Sequence, residues 1–156
     1  MCAWVVVDLD DTLLEKAPGE PDPTTGEEGE PQDAPTEGSI EAMHTLAEEG
    51  HRLTVFTARF NVMPNSAKQK MKEELEQQLL DMGFPPMEVW TGTNKPSADI
   101  FIDNNAVTYD GDWGLVLAQT QQMLEDRGLE PGPQPGAAEA AQLYGQDEEA
   151  PPGEGQ

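Results

Sequence analysis

The chain has 156 residues, enough for one domain. Its formal net charge is -23, with 31 acidic against 8 basic residues, which disfavours nucleic acid and anionic membrane surfaces as partners. One cysteine, Cys2, excludes an internal disulfide, and no run of apolar residues approaches the length of a membrane span.

The first element is an apolar, β-branched run from Ala3 to Val7 that breaks into Asp8-Leu9-Asp10-Asp11-Thr12. It is too short for a helix and reads as a buried parallel strand. Carboxylates crowded at a strand's C-terminal end repel one another, and a cation or a proton must neutralise them. That end is also where open α/β sheets bind ligands. The start has no basic flank and so does not read as a signal peptide, which leaves a cytoplasmic protein as the expectation.

Residues 15–38 are rich in Glu and Asp and punctuated by Pro18, Pro21, Pro23, Pro31 and Pro35. With Ala17 and Ala34 as their apolar residues, they are expected to form a flexible acidic insert, dispensable for chemistry. Ser39 then reads as the N-cap of a helix with Ile40, Met43, Leu46 and Ala47 on one face and Gly50 at its end. A strand follows at Arg52–Phe56, running into Thr57-Ala58-Arg59. The spacing predicts a second helix from Pro64 to Met82, stopped by Gly83. Short strands are expected at Glu88–Trp90 and Asp99–Ile102, the latter ending in Asp103-Asn104. A last helix spans Trp113 to Arg127, and the acidic, Pro- and Gly-rich tail 130–156 reads as disordered. The alternation implies an α/β fold, a Rossmann-like three-layer sandwich around a mostly parallel sheet. One domain covers 1–129.

Parallel strands would bring Asp8 and Asp10, Thr57, and Asp103 and Asn104 to one sheet edge, with Lys95 just before the last strand. Phosphoryl transfer to a carboxylate needs an in-line nucleophile, and Asp8 suits it. It needs an acid for the leaving oxygen and a base for water, a task for Asp10. Thr57 and Lys95 would donate to the phosphoryl oxygens. Mg²⁺ suits the combined charge of carboxylates and phosphate.

Asp8-x-Asp10-x-Thr12, Thr57, Lys95 and Asp103-Asn104, in this order, resemble the four motifs of the haloacid dehalogenase superfamily over roughly residues 3–127. The resemblance implies a Mg²⁺-dependent phosphatase with an aspartyl-phosphate intermediate, catalytic residues Asp8, Asp10, Thr57 and Lys95, and metal ligands Asp8, Asp10, Asp103 and Asn104. Thr57, Arg59 and Lys95 would bind substrate, Arg59 through a second anionic group. The fourth motif departs from the commoner pair of acids, since Asn104 offers a neutral oxygen. No long insertion supplies a cap domain, so the active site would be open, and a phosphorylated macromolecule is among the expected substrates. A polynucleotide 3′-phosphatase or nucleotidase-like activity, and a catalytically weak phosphate- or metal-binding scaffold, remain the alternatives.

Overall fold

The computed structural model describes residues 2–129 and Gly132. The tail expected at 130–156 therefore lies, Gly132 apart, outside the described residues. The chain divides into two compact units, Met1–Ala106 and Val107–Gln156.

The first unit is α/β. Strand β1 (Trp4–Asp8) is central, as its run Val5-Val6-Val7 demands: each of these three is almost fully buried. A hairpin follows, made of β2 (Leu14–Gly19) and β3 (Gly29–Pro35), then helix α1 (Ser39–Glu48) and strand β4 (Arg52–Phe56). Helix α2 (Asn65–Asp81), strand β5 (Glu88–Val89) and strand β6 (Ile100–Ile102) complete the unit. The four-stranded sheet has the order β5-β4-β1-β6, and all its pairings are parallel. This is the Rossmann-like α/β class expected from the alternation, and among the described residues no separate cap domain is inserted.

One face of the sheet carries the core. Val5 and Val7 of β1 stand beside Leu53 and Val55 of β4, and Val89 of β5 continues the row. Met43 from α1 and Leu75 and Leu79 from α2 join this cluster, together with Leu9, Leu13 and Leu14 from the turn after β1. Replacing Leu79, 1% exposed, by alanine is expected to destabilise the protein by about 3 kcal/mol, read as a lower urea midpoint at unchanged slope. On the other face, Thr54 is buried, and its Oγ1 accepts a hydrogen bond of 2.9 Å from the Trp4 indole.

Both helices end as their sequences require. Gly50 and Gly83 adopt left-handed backbone (φ 85 and 101), and the next residues, His51 and Phe84, donate back to Leu46 and Leu79. Those are the closing bonds of Schellman caps. The start of α1 differs from expectation: Gly38 (φ 78) takes the cap position, and the Ser39 hydroxyl donates back to the Thr36 carbonyl at 2.8 Å. A backbone that enters the helix through the left-handed region suits glycine better than serine.

The largest departure is at 15–38, which forms a two-stranded antiparallel sheet and not a featureless insert. Composition was a poor guide because the hairpin draws on few side chains of its own. Its base is held by Leu13 and Leu14, both 1% exposed, and by Thr36, whose N–H donates to the Leu13 carbonyl and whose hydroxyl donates to the Thr12 carbonyl. Gly19 and Gly29 pair so closely that a Cβ on either would lie within 2.3 Å of the opposite backbone.

The second unit contains α3 (Trp113–Asp126). Asp112 caps it, its carboxylate accepting from the N–H groups of Gly114 and Leu115, and Gly128 (φ 64) closes it. The rings of Tyr109 and Trp113 meet tilted by 37°, with centroids 4.9 Å apart.

Candidate active site

Three adjacent parallel strands end together. β4 runs into Thr57, β1 ends at Asp8, and β6 runs into Asp103. The chain leaves β1 by a tight turn in which the N–H groups of Leu13 and Leu14 both donate to the Leu9 carbonyl. Asp11 occupies the left-handed region there (φ 60), a conformation that Asp tolerates better than most side chains. This turn folds Leu13 and Leu14 back into the core and leaves Asp8 and Asp10 half-buried at the sheet edge.

Asp8 is electrostatically strained. Its carboxyl is pushed up from 3.8 to about 6, first by burial and then by the charge of Asp103, with smaller contributions from Asp10 and Asp11. A carboxyl that binds its proton more tightly when folded loses stability as pH rises between those two values. Asp8→Asn should therefore stabilise the cation-free protein at pH 7.5 by about 1 kcal/mol, allowing for solvent screening of a partly exposed group. The gain should vanish below about pH 4, and thermal melts of both proteins across this range, with chelator present, check the prediction.

Thr57 is buried, and its Oγ1 accepts from the Arg59 N–H at 3.1 Å across the first turn of a 3₁₀ segment, Ala58–Phe60. A hydroxyl that accepts there still has a proton to donate. Phe60 packs into the core and fixes this segment against the sheet. Lys95 is exposed, and its ammonium lies 4.4 Å from the centroid of the Phe101 ring, on the neighbouring strand β6. Phe101 pairs with Val6, so Lys95 approaches the sheet from the face opposite the Val5–Val7 core.

Arg59 is placed differently from the expectation of an arginine facing substrate. Its Nε donates to both oxygens of Asp10 (3.2 and 3.1 Å), and its Nη1 and Nη2 donate to the two oxygens of Asp33 (3.0 and 3.2 Å). The guanidinium is pinned between two carboxylates, which raise its pKa, the Asp10 hydrogen bond foremost. Asp33, nearly covered, is held below the usual carboxylate range by Arg59 and further by Lys16. Nothing local singles out Asp33 in the sequence, where it is one acid among many. Its role follows from its register position, directly opposite Lys16 in the hairpin.

Asp103 and Asn104 are exposed just after β6. The Asp103 carboxylate accepts from the Asn105 N–H at 2.7 Å. Thr12 ties this loop to the β1 turn: its hydroxyl donates to the Asn104 side-chain oxygen and accepts from the Asn104 N–H, each at 3.2 Å. Asp99 has a structural place, its carboxylate accepting from the Trp4 N–H at 2.7 Å.

A hard divalent cation fits the chemistry of this donor set. Asp8 and Asp103 repel one another, and Mg²⁺ characteristically takes one or two carboxylates while keeping several waters. Of the four expected ligands, Asp10 has its carboxylate on Arg59 and Asn104 has its side-chain oxygen on Thr12, which leaves Asp8 and Asp103 as the carboxylates that would hold a cation. Among the described residues, no group of three His, Cys, Asp or Glu side chains is gathered to hold a metal ion.

Comparison with known proteins adds little to this geometry. No protein-family model matches the chain, and no curated protein matches it. One similar solved structure is described as that of a conserved protein coded by a locus from Bacteroides thetaiotaomicron. It shares 19% identity, covers 79% of this chain and 93% of its own, and has a TM-score of 0.43. Among the described residues, no helix is long and apolar enough to cross a membrane.

Proposed function

We propose that this chain is a Mg²⁺-dependent phosphomonoester hydrolase that works through an aspartyl-phosphate intermediate. The supporting observation is the row Thr57, Asp8, Asp103 at the ends of three adjacent parallel strands, with the central carboxyl pushed up to about 6. A carboxyl so perturbed at the ligand-binding edge of an open sheet suits a site that meets another charge.

Each residue has a defined part. Asp8 attacks phosphorus and the ester P–O bond breaks. Asp10 gives the departing oxygen a proton held on Oδ2, the oxygen that Arg59 Nη2 does not bond. Water then attacks phosphorus, the bond from the Asp8 oxygen to phosphorus breaks to release phosphate, and Asp10 receives the water's proton. The Thr57 hydroxyl and the Lys95 ammonium donate to the non-bridging oxygens, where negative charge must be held in line for transfer. Asp8 and Asp103 would hold Mg²⁺, which would supply positive charge to offset that of carboxylates and phosphate.

The substrate class follows from access. Asp8 and Asp10 are only half-buried, while Lys95 and Asp103 are exposed, which leaves room for a phosphate carried on a macromolecule. The acidic hairpin disfavours nucleic acid. The exposed, unpaired Cys2 suits a reducing cytoplasm.

Turnover of p-nitrophenyl phosphate by the purified chain with Mg²⁺ tests the reading, with Asp8→Asn as control. Phosphate binding without turnover would make the chain a binding module instead.

A further inference from the structure

We propose that Asp33, on hairpin strand β3, is a positioning residue that fixes Asp10 for proton transfer by anchoring Arg59. The proposal rests on the phosphatase reading above and gives the hairpin a part in it.

Asp10 sits in a turn, not on a strand, and half its side chain faces solvent (47% exposed). A carboxylate there has several rotamers open to it, while proton transfer to a leaving oxygen tolerates little misplacement. Arg59 restricts Asp10 by bonding both its oxygens. Arginine is itself a long, flexible side chain, so it can restrict Asp10 only if it is held in turn. Two contacts hold it. Its backbone is fixed by the Thr57 Oγ1 bond and by buried Phe60 beside it. Its guanidinium plane is fixed by the two-pronged contact with Asp33, the planar fork geometry that makes such pairs directional. Asp33 has the rigidity this requires. Its side chain is 11% exposed, and Lys16, directly across the hairpin, bonds one of its oxygens.

The chain of contacts therefore runs from β3 through Asp33 and Arg59 to Asp10. It uses the base of the hairpin and leaves its tip out. Residues 20–28 contribute no side chain to the Asp10–Arg59–Asp33 contacts. Asp33 and the tip should therefore have separable effects. Loss of Asp33 frees Arg59 and with it Asp10. Loss of the tip leaves both in place.

A mispositioned acid has a kinetic mark that general loosening lacks. A good leaving group departs with little help from a proton, whereas an alkoxide needs one. Asp33→Asn should thus lower kcat/KM, which reports the steps up to the aspartyl phosphate, about 10-fold or more for an alkyl phosphate and less than about 3-fold for p-nitrophenyl phosphate. Asp33→Glu, which keeps the carboxylate, should recover part of the alkyl phosphate rate. Replacing residues 20–28 by Asn-Gly should leave both rates within about 2-fold of the parent.

The test is steady-state kinetics of the parent chain, Asp33→Asn, Asp33→Glu and the tip replacement on both esters, each protein checked by thermal melting. Asp33→Asn values of kcat/KM equal to the parent's on both esters, or an equal loss of kcat/KM on both, would overturn the positioning role. So would a tip replacement as damaging as Asp33→Asn. A parent chain inactive on both esters would instead overturn the phosphatase reading on which the role depends.

Discussion

Replacing Asp8 by asparagine is expected to abolish phosphate-ester hydrolysis, by at least about 100-fold in kcat, in a protein that melts no lower than the parent. The amide oxygen is a far poorer nucleophile towards phosphorus, so the covalent route closes. The fold should survive because Asp8 contributes to stability with the wrong sign: burial and the charge of Asp103 push its carboxyl up to about 6. A neutral isostere relieves that repulsion while leaving the backbone bond from the Leu9 N–H to the Phe56 carbonyl intact. Loss of activity with unchanged or raised melting temperature separates a chemical role from a structural one. Retention of more than about a hundredth of the parent rate would reassign the nucleophile.

The second large effect concerns the cation. Chelation should remove turnover, and millimolar Mg²⁺ should raise the melting temperature, since a cation held jointly by Asp8 and Asp103 would bind only the folded chain. At a concentration 100 times its dissociation constant the cation stabilises by about 2.7 kcal/mol, which a thermal melt resolves. Asp103→Asn should weaken both effects together, because it removes one of the two carboxylates. Asn104→Asp should keep or tighten Mg²⁺ binding, provided the Thr12 bonds are retained, because it adds a charged oxygen beside the same loop. Full activity in chelator together with no thermal shift would exclude the metal site.

The contrast between Asp33 and the rest of its hairpin bears on how acidic, Pro-rich segments are read. Composition measures how much apolar surface a segment can bury by itself. It is silent about ordering by a few bonds to an already folded domain. Here Leu13, Leu14 and Thr36 secure the base, and one arginine from a different strand end reaches Asp33.

Residue pattern alone specifies the elements whose information is local. The β-branched runs at Val5–Val7 and Leu53–Val55 mark buried strands, and the glycines at 50, 83 and 128 mark helix ends, because burial and a left-handed φ constrain residue type at the position itself. The parallel α/β class followed from their order, and with it the convergence of Asp8, Thr57 and Asp103 on one edge. The partners of long side chains depend instead on how the chain packs. Arg59 lies 49 residues from Asp10 and 26 from Asp33, and Thr12 lies 92 from Asn104. A charged or hydroxyl side chain is compatible with solvent, substrate or a distant neighbour alike, so its residue type carries no address. Which of these it meets is set by the register of the β2–β3 hairpin and by the 3₁₀ turn after Thr57, both of which depend on packing and not on local pattern.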